Sequence, residues 1–140
     1  MLLALRTKPA SDAWNHRLAN WIIKARLVTR YSHSGIVIGD TLYHSTATDG
    51  VIKTDDWTPE NWVLIEVGGD DSRALEVFRQ MEGGRYDWFS LLAFVGIKAR
   101  DSKASYCYEL THHMMTGKHP TDRVTPEDLL MLAIDMRNQK

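Results

Sequence analysis

The sequence holds a single cysteine, Cys107, in 140 residues. That excludes an intramolecular disulfide and a zinc site built on cysteines. Prolines number only four, and no proline-rich or low-complexity linker divides the chain. No charge of one sign dominates, with 17 Lys+Arg against 18 Asp+Glu and a formal net charge of -1. This lack of a basic arm or stripe argues against nucleic acid as the partner. Long apolar runs are missing too. The most apolar stretch, "WFSLLAFVGI" from Trp88 to Ile97, is about half the roughly 20 residues that span a bilayer, and reads as a buried helix. The first residues, "MLLALRTKPA", lack the apolar length and small-residue cleavage site of a signal peptide. The expectation is a soluble protein, cytoplasmic as synthesised, with no transmembrane segment.

What is present is core material. Hydrophobic residues make up 44% of the chain and include five tryptophans, enough for one domain over residues 1–140 without staples. "LLALRT" reads as a first strand. "SDAWNHRLANWIIKAR" reads as a helix, with Trp14, Leu18, Trp21, Ile22 and Ala25 on one face. "GIVIGDTLYH" is two β-rich runs around the turn-forming pair Gly39-Asp40. Asp49-Gly50 leads into "VIKT", and "NWVLIEV" is a further strand. The first half therefore predicts an antiparallel meander behind one helix.

The second half predicts helices. "SRALEVFRQMEGG" stops at Gly83-Gly84, "YDWFSLLAFVGIKA" is apolar nearly all round, and "SYCYELTHHMMTG" runs from a Ser105 cap to Gly117. "TPEDLLMLAIDM" carries the strongest start signal, with Thr125 as cap, Pro126 at the first position, and Glu127 and Asp128 facing the dipole. Strands followed by helices predict an α+β class.

Two of six histidines, His33 and His44, stand at the outer ends of the predicted hairpin. If Gly39-Asp40 form a two-residue loop, Gly35 faces His44, and His33, Gly35, Val37, Leu42 and His44 share one face. The histidines are then diagonal neighbours, and Gly35 leaves volume beside both rings. A longer loop or a bulge would send one histidine to the other face.

Cys107 falls in the first turn of its predicted helix, where the dipole and unpaired N–H groups favour a thiolate. The Cys107 N–H also suits the oxyanion of a tetrahedral intermediate, and His33 is the available base. The alternative is a buried Cys107 that packs with Leu110 and Met114. A third grouping, His112, His113 and His119, is a poor metal site, because adjacent helical residues point about 100° apart. Neither a metal nor another cofactor is expected. Trp57 and Trp62, flanking a loop with Pro59, are groove candidates, whereas Trp14 and Trp21 fit a core stripe. His16 falls on a solvated face.

"RYSHSGIVIGDTLYHSTATDGV", followed by "YDWFSLL", "YCYEL" and "VTPEDLL", resembles the circularly permuted NlpC-like cysteine hydrolases. These are papain-fold proteins that include YiiX-like and lecithin:retinol acyltransferase-like groups. The resemblance covers roughly Trp21 to Leu130. It implies a permuted papain-like fold, with an antiparallel sheet packed on helices, the histidine strand first and the cysteine helix last. It implies Cys107 as nucleophile, His33 as base and His44 in the third polar position, where YiiX-like members tend to carry glutamate and acyltransferase-like members histidine. Tyr108 departs from the serine that relatives often carry after the cysteine. Tyr31, Gly35, Tyr106 and Trp57 are the candidates for substrate contact, and Tyr86-Asp87 matches the family's aromatic-acidic pair. The implied activity is hydrolysis of amide or ester bonds through a thioester. Cell-wall peptides are the first substrate class and lipid acyl groups the second, in a phage or bacterial setting. A silent binding or assembly module of the same fold is the alternative.

Overall fold

The structure, a computed structural model, describes residues 1–7, 30–46, 48–84 and 106–139. The helices expected over Ser11–Arg26 and around "WFSLLAFVGI", with Trp14, His16, Trp21 and the Tyr86-Asp87 pair, lie outside the described residues.

Five strands form one antiparallel sheet: β1 (Leu2–Arg6), β2 (His33–Ile38), β3 (Thr41–Thr46), β4 (Gly50–Thr54) and β5 (Trp62–Glu66). Three helices follow in the chain: α1 (Asp71–Met81), α2 (Cys107–Thr116) and α3 (Pro126–Asn138). The expected α+β class therefore holds. The strand order β4-β3-β2-β1-β5 corrects the expected meander. Only β2, β3 and β4 run on consecutively. β1 inserts beside β2, and β5 crosses the sheet to pair with the far side of β1. Turn signals fix neighbours only across short loops; which strand flanks β1 is decided by burial.

The hairpin register is the one the two-residue loop predicts, with Gly35 opposite His44, Val37 opposite Leu42 and Ile38 opposite Thr41. Gly39 supplies the positive φ of 61°, and no positive φ falls at Asp40, the pattern of a turn with glycine at its first central position.

Alternation along the strands gives the sheet two unlike faces. Leu3, Leu5, Ile36 and Val51 point toward the helices. They pack with Ala74, Val77 and Phe78 of α1, with Leu110, Met114 and Met115 of α2, and with Leu129 and Ala133 of α3. Each such aliphatic side chain contributes about 1.5–3 kcal/mol on full burial. The opposite face carries only a small cluster, Ala4, Val37 and Leu42, covered in part by Leu2, Trp57 and Trp62.

α3 starts as expected, with a Thr125–Asp128 capping box and Pro126 in the first turn. α1 is capped by Asp70, whose carboxylate accepts from the Ser72 and Arg73 N–H groups. α2 departs from expectation: its cap position is Tyr106, which makes no side-chain capping bond, and Ser105 lies outside the described residues. Gly117 closes α2 at φ 73°. Among the described residues, no helix is long and apolar enough to cross a membrane.

A candidate active site at the end of strand β2

His33 is the first residue of β2, and its ring meets His44 from β3. His33 Nε2 lies 2.8 Å from His44 Nδ1, with ring centroids 5.1 Å apart in an edge-on arrangement. His44 Nε2 continues to Thr54 Oγ1 of β4 at 2.9 Å. Three strands thus contribute one residue each to a His33–His44–Thr54 chain. Thr54 can donate or accept. When each histidine carries its proton on Nε2, His33 donates to His44, His44 donates to Thr54, and His33 Nδ1 is left with its lone pair. That nitrogen has no hydrogen bond among the described residues.

Burial, the neighbouring His44 and then the Arg6 charge hold His33 well below the ordinary histidine range. His44, only 9% exposed, is lowered to about 4 by burial and by Arg6, against a smaller raising effect from Asp49. Both imidazoles are neutral at pH 7.

Gly35 corrects one expectation. No spare volume lies beside the rings. A Cβ there would stand 2.8 Å from Leu42 Cδ1, 2.8 Å from the Tyr43 carbonyl oxygen and 3.1 Å from His44 Cβ. The glycine permits close approach of β2 and β3 rather than leaving a gap.

Cys107 begins α2 and is only 2% exposed. It joins the core cluster that contains Leu110 and Met114, as the structural alternative anticipated. Ser34, the residue after His33, offers it polar groups. The Ser34 N–H and hydroxyl, and the N–H groups of Tyr108 and of Cys107 itself, face the sulfur. Burial outweighs these donors and pushes the thiol up to about 11. This overturns the expected lowering at a helix N-terminus. The dipole favours a thiolate, but loss of water costs more here.

The Ser34 hydroxyl also lies 2.8 Å from Thr111 Oγ1, which donates to the Cys107 carbonyl at 2.7 Å. With Thr111 donating to that carbonyl, Ser34 gives its one proton to Thr111 while the sulfur is a thiol.

The expected residues are therefore brought together in part. His33 and His44 touch. Cys107 borders Ser34 on the helix side of the sheet, whereas the rings lie on the other face, and no hydrogen bond joins the sulfur to either imidazole among the described residues. His33 and Ser34 are the first two residues of β2, so the ring and the groups that face the sulfur stand at the start of that strand.

Of the substrate-contact candidates, Tyr106 is corrected outright. It is 1% exposed, its hydroxyl donates to the Val124 carbonyl at 2.9 Å, and it accepts from the Val124 N–H at 2.9 Å. It pins the loop before α3 and cannot meet a substrate. Tyr31 accepts through its carbonyl from the Tyr108 hydroxyl at 3.2 Å and packs its partly buried side chain on the core. Trp57 remains open to a ligand in part. Its indole N–H donates to the Asp40 carbonyl at 2.8 Å, and its ring stands edge-on to Trp62 at 6.3 Å.

Two neighbours of the imidazoles escaped sequence reasoning. Thr54 is visible only through the β3–β4 register, in which His44 faces Ile52 and Thr54 is its diagonal neighbour. Arg6, the one charged residue in "LLALR", is placed by the insertion of β1, which sets it directly opposite His33 on one side and Trp62 on the other. His113 of α2 and His119, beyond the end of that helix, approach to 5.4 Å between centroids, and no group of three side chains able to hold a metal occurs among the described residues.

No family model, curated protein or solved structure matches the chain.

Proposed function

We propose that this chain is a cysteine hydrolase of permuted papain-like architecture that cleaves amide or ester bonds through a thioester. Cell-wall peptides are its first substrate class and lipid acyl groups the second. The observation that carries this reading is the division of labour in the His33 ring. Nε2 is committed to His44 at 2.8 Å, while Nδ1, with no hydrogen bond among the described residues, belongs to the residue next to Ser34, which touches the Cys107 sulfur.

In this reading the resting pair is neutral thiol and neutral imidazole. As the sulfur attacks the carbonyl carbon, its proton passes to His33 Nδ1 and the carbonyl π electrons move to oxygen. The Cys107 N–H donates to that oxyanion. His33 returns the proton to the leaving nitrogen or oxygen as the C–N or C–O bond breaks, leaving a thioester. Water then loses a proton to Nδ1, adds to the thioester, and the sulfur departs and is reprotonated. His44 is a positioning residue: it fixes the His33 tautomer and accepts from the imidazolium through Nδ1. Thr54 orients His44 in turn.

A second reading is favoured by the sealed sulfur: a binding module of the same architecture that performs no turnover. Wild type, Cys107→Ala, Cys107→Ser and His33→Ala assayed on peptidoglycan fragments and model esters separate the two. Turnover confined to the wild type supports the hydrolase; equal rates in all four proteins eliminate it.

A further inference from the structure

On the site face of the sheet, Trp62, Arg6 and His33 stand in one row across β5, β1 and β2, because both strand registers put Arg6 directly opposite the other two. The guanidinium carbon lies 5.3 Å from the Trp62 ring centroid, and the His33 and Trp62 rings meet edge-on at 5.8 Å. Stacking on an indole holds a guanidinium plane in place without using its N–H donors.

Among the described residues Arg6 Nε is buried and makes no hydrogen bond, and the only ion pairs there, Met1–Asp71 and Arg79–Glu76, lie elsewhere. A buried donor on a charged group without an acceptor is an uncommon and costly feature in a folded chain. Of the three buried side-chain nitrogens without a partner among the described residues, Arg6 Nε is the one beside the imidazole pair.

We infer that Arg6 is a subsite for a carboxylate carried by the substrate, held beside His33 by the Trp62–Arg6–His33 row. Nε–H and one terminal N–H of a guanidinium form a fork that matches the two oxygens of a carboxylate. One cation balances one unit of charge, which favours a carboxylate over a phosphate dianion. The assignment deepens the hydrolase reading and rests on it for the word substrate; binding itself does not.

The placement also has a consequence for the imidazoles. The Arg6 charge disfavours protonation of His33 and His44. A carboxylate seated on the guanidinium cancels that charge when the base has to accept a proton, so the occupied site is more basic than the empty one.

Two measurements test the subsite. The first follows the Arg6 Nε–H and Trp62 indole N–H resonances by nitrogen-proton NMR in Cys107→Ala, titrated with N-acetylalanine, its methylamide and inorganic phosphate, with the indole as the readout in the Arg6 variants. A saturable shift with the acid and none with the methylamide is expected, and Arg6→Gln should weaken the acid by about 10- to 100-fold. Arg6→Lys should recover part of that loss. Equal response to acid and methylamide, response to neither, or tighter binding of phosphate than of the acid overturns the assignment.

The second compares kcat/KM on two esters that differ only in a terminal carboxylate or its methylamide. The wild type should prefer the acid by about 10- to 100-fold, and Arg6→Gln should erase that preference. An unchanged preference in Arg6→Gln overturns the subsite. A protein that binds the acid at Arg6 yet turns over neither ester keeps the subsite and loses the hydrolase.

Discussion

His33 and Ser34 are neighbours in one strand and belong to two different environments. Ser34 faces the helices, is fully buried, and finds Thr111 and the Cys107 sulfur around it. His33 faces the other way, into a polar row of His44, Arg6 and Trp62 over a thin apolar cluster. On the helix face the Ser34 and Thr111 hydroxyls pair with each other and the apolar groups pack, while His112 Nδ1 and His113 Nδ1 of α2 are buried without a partner among the described residues. The opposite face keeps spare capacity in the His33 Nδ1 lone pair and the Arg6 Nε–H. In the proposed reading, alternation lets one strand end serve stability on one side and chemistry on the other. The thiol belongs to the stable side, which is why it is sealed and hard to ionise.

The sharpest way to break this contrast is to remove the proposed nucleophile and base. Cys107→Ala and His33→Ala should each lower kcat/KM on a model ester by about 10⁴-fold or more, read by steady-state kinetics. His44→Ala should cost less, about 10²-fold, since it acts on His33 rather than on substrate. If His44→Ala were harmless, the 2.8 Å contact would be packing only.

The next effect is on stability. His44 has a folded value of about 4 against an ordinary 6.5. The unfolded chain therefore binds a proton that the folded one refuses. The stability is present above pH 6.5 and is lost as pH falls through about 4, by about 3 kcal/mol for this residue. His33, lowered by the same causes, adds to the loss in the same direction. Urea unfolding between pH 7 and pH 4 measures it, and His44→Gln should flatten the slope.

Gly35→Ala probes the contact between the two hairpin strands. The added methyl meets a backbone oxygen at 2.8 Å and should destabilise by about 1–3 kcal/mol, while lengthening the imidazole contact. On the helix side, Thr111→Val leaves Ser34 without its acceptor and should cost about 1 kcal/mol in urea unfolding. It should do so with little effect on the histidine titrations.

Much of this was legible in the residues. Gly39-Asp40 fixed the hairpin register and with it the His33–His44 diagonal, because side chains alternate with period two and a two-residue loop leaves no freedom. The Thr125-Pro126 start of α3 was equally plain. The place of β1 was not, since its neighbours are distant in sequence and chosen by burial. Local sequence therefore gives no sign of Arg6 as a neighbour of the site, although its partners His33 and Trp62 are both visible as candidates. The acidity of Cys107 is not legible for a related reason: the dipole can be read from local sequence, whereas loss of water depends on what packs over the residue. Tyr106 failed on the same ground, its hydroxyl being taken by Val124.

The central claim is that the sealed thiol becomes the nucleophile when substrate is bound. Intact mass of the protein, quenched in acid during turnover of a model ester, tests it most directly. The account predicts one acyl group per chain, mapped to Cys107 and released by hydroxylamine, and no such adduct in His33→Ala. Sustained turnover with Cys107 unmodified, or with the acyl group on another side chain, would contradict it.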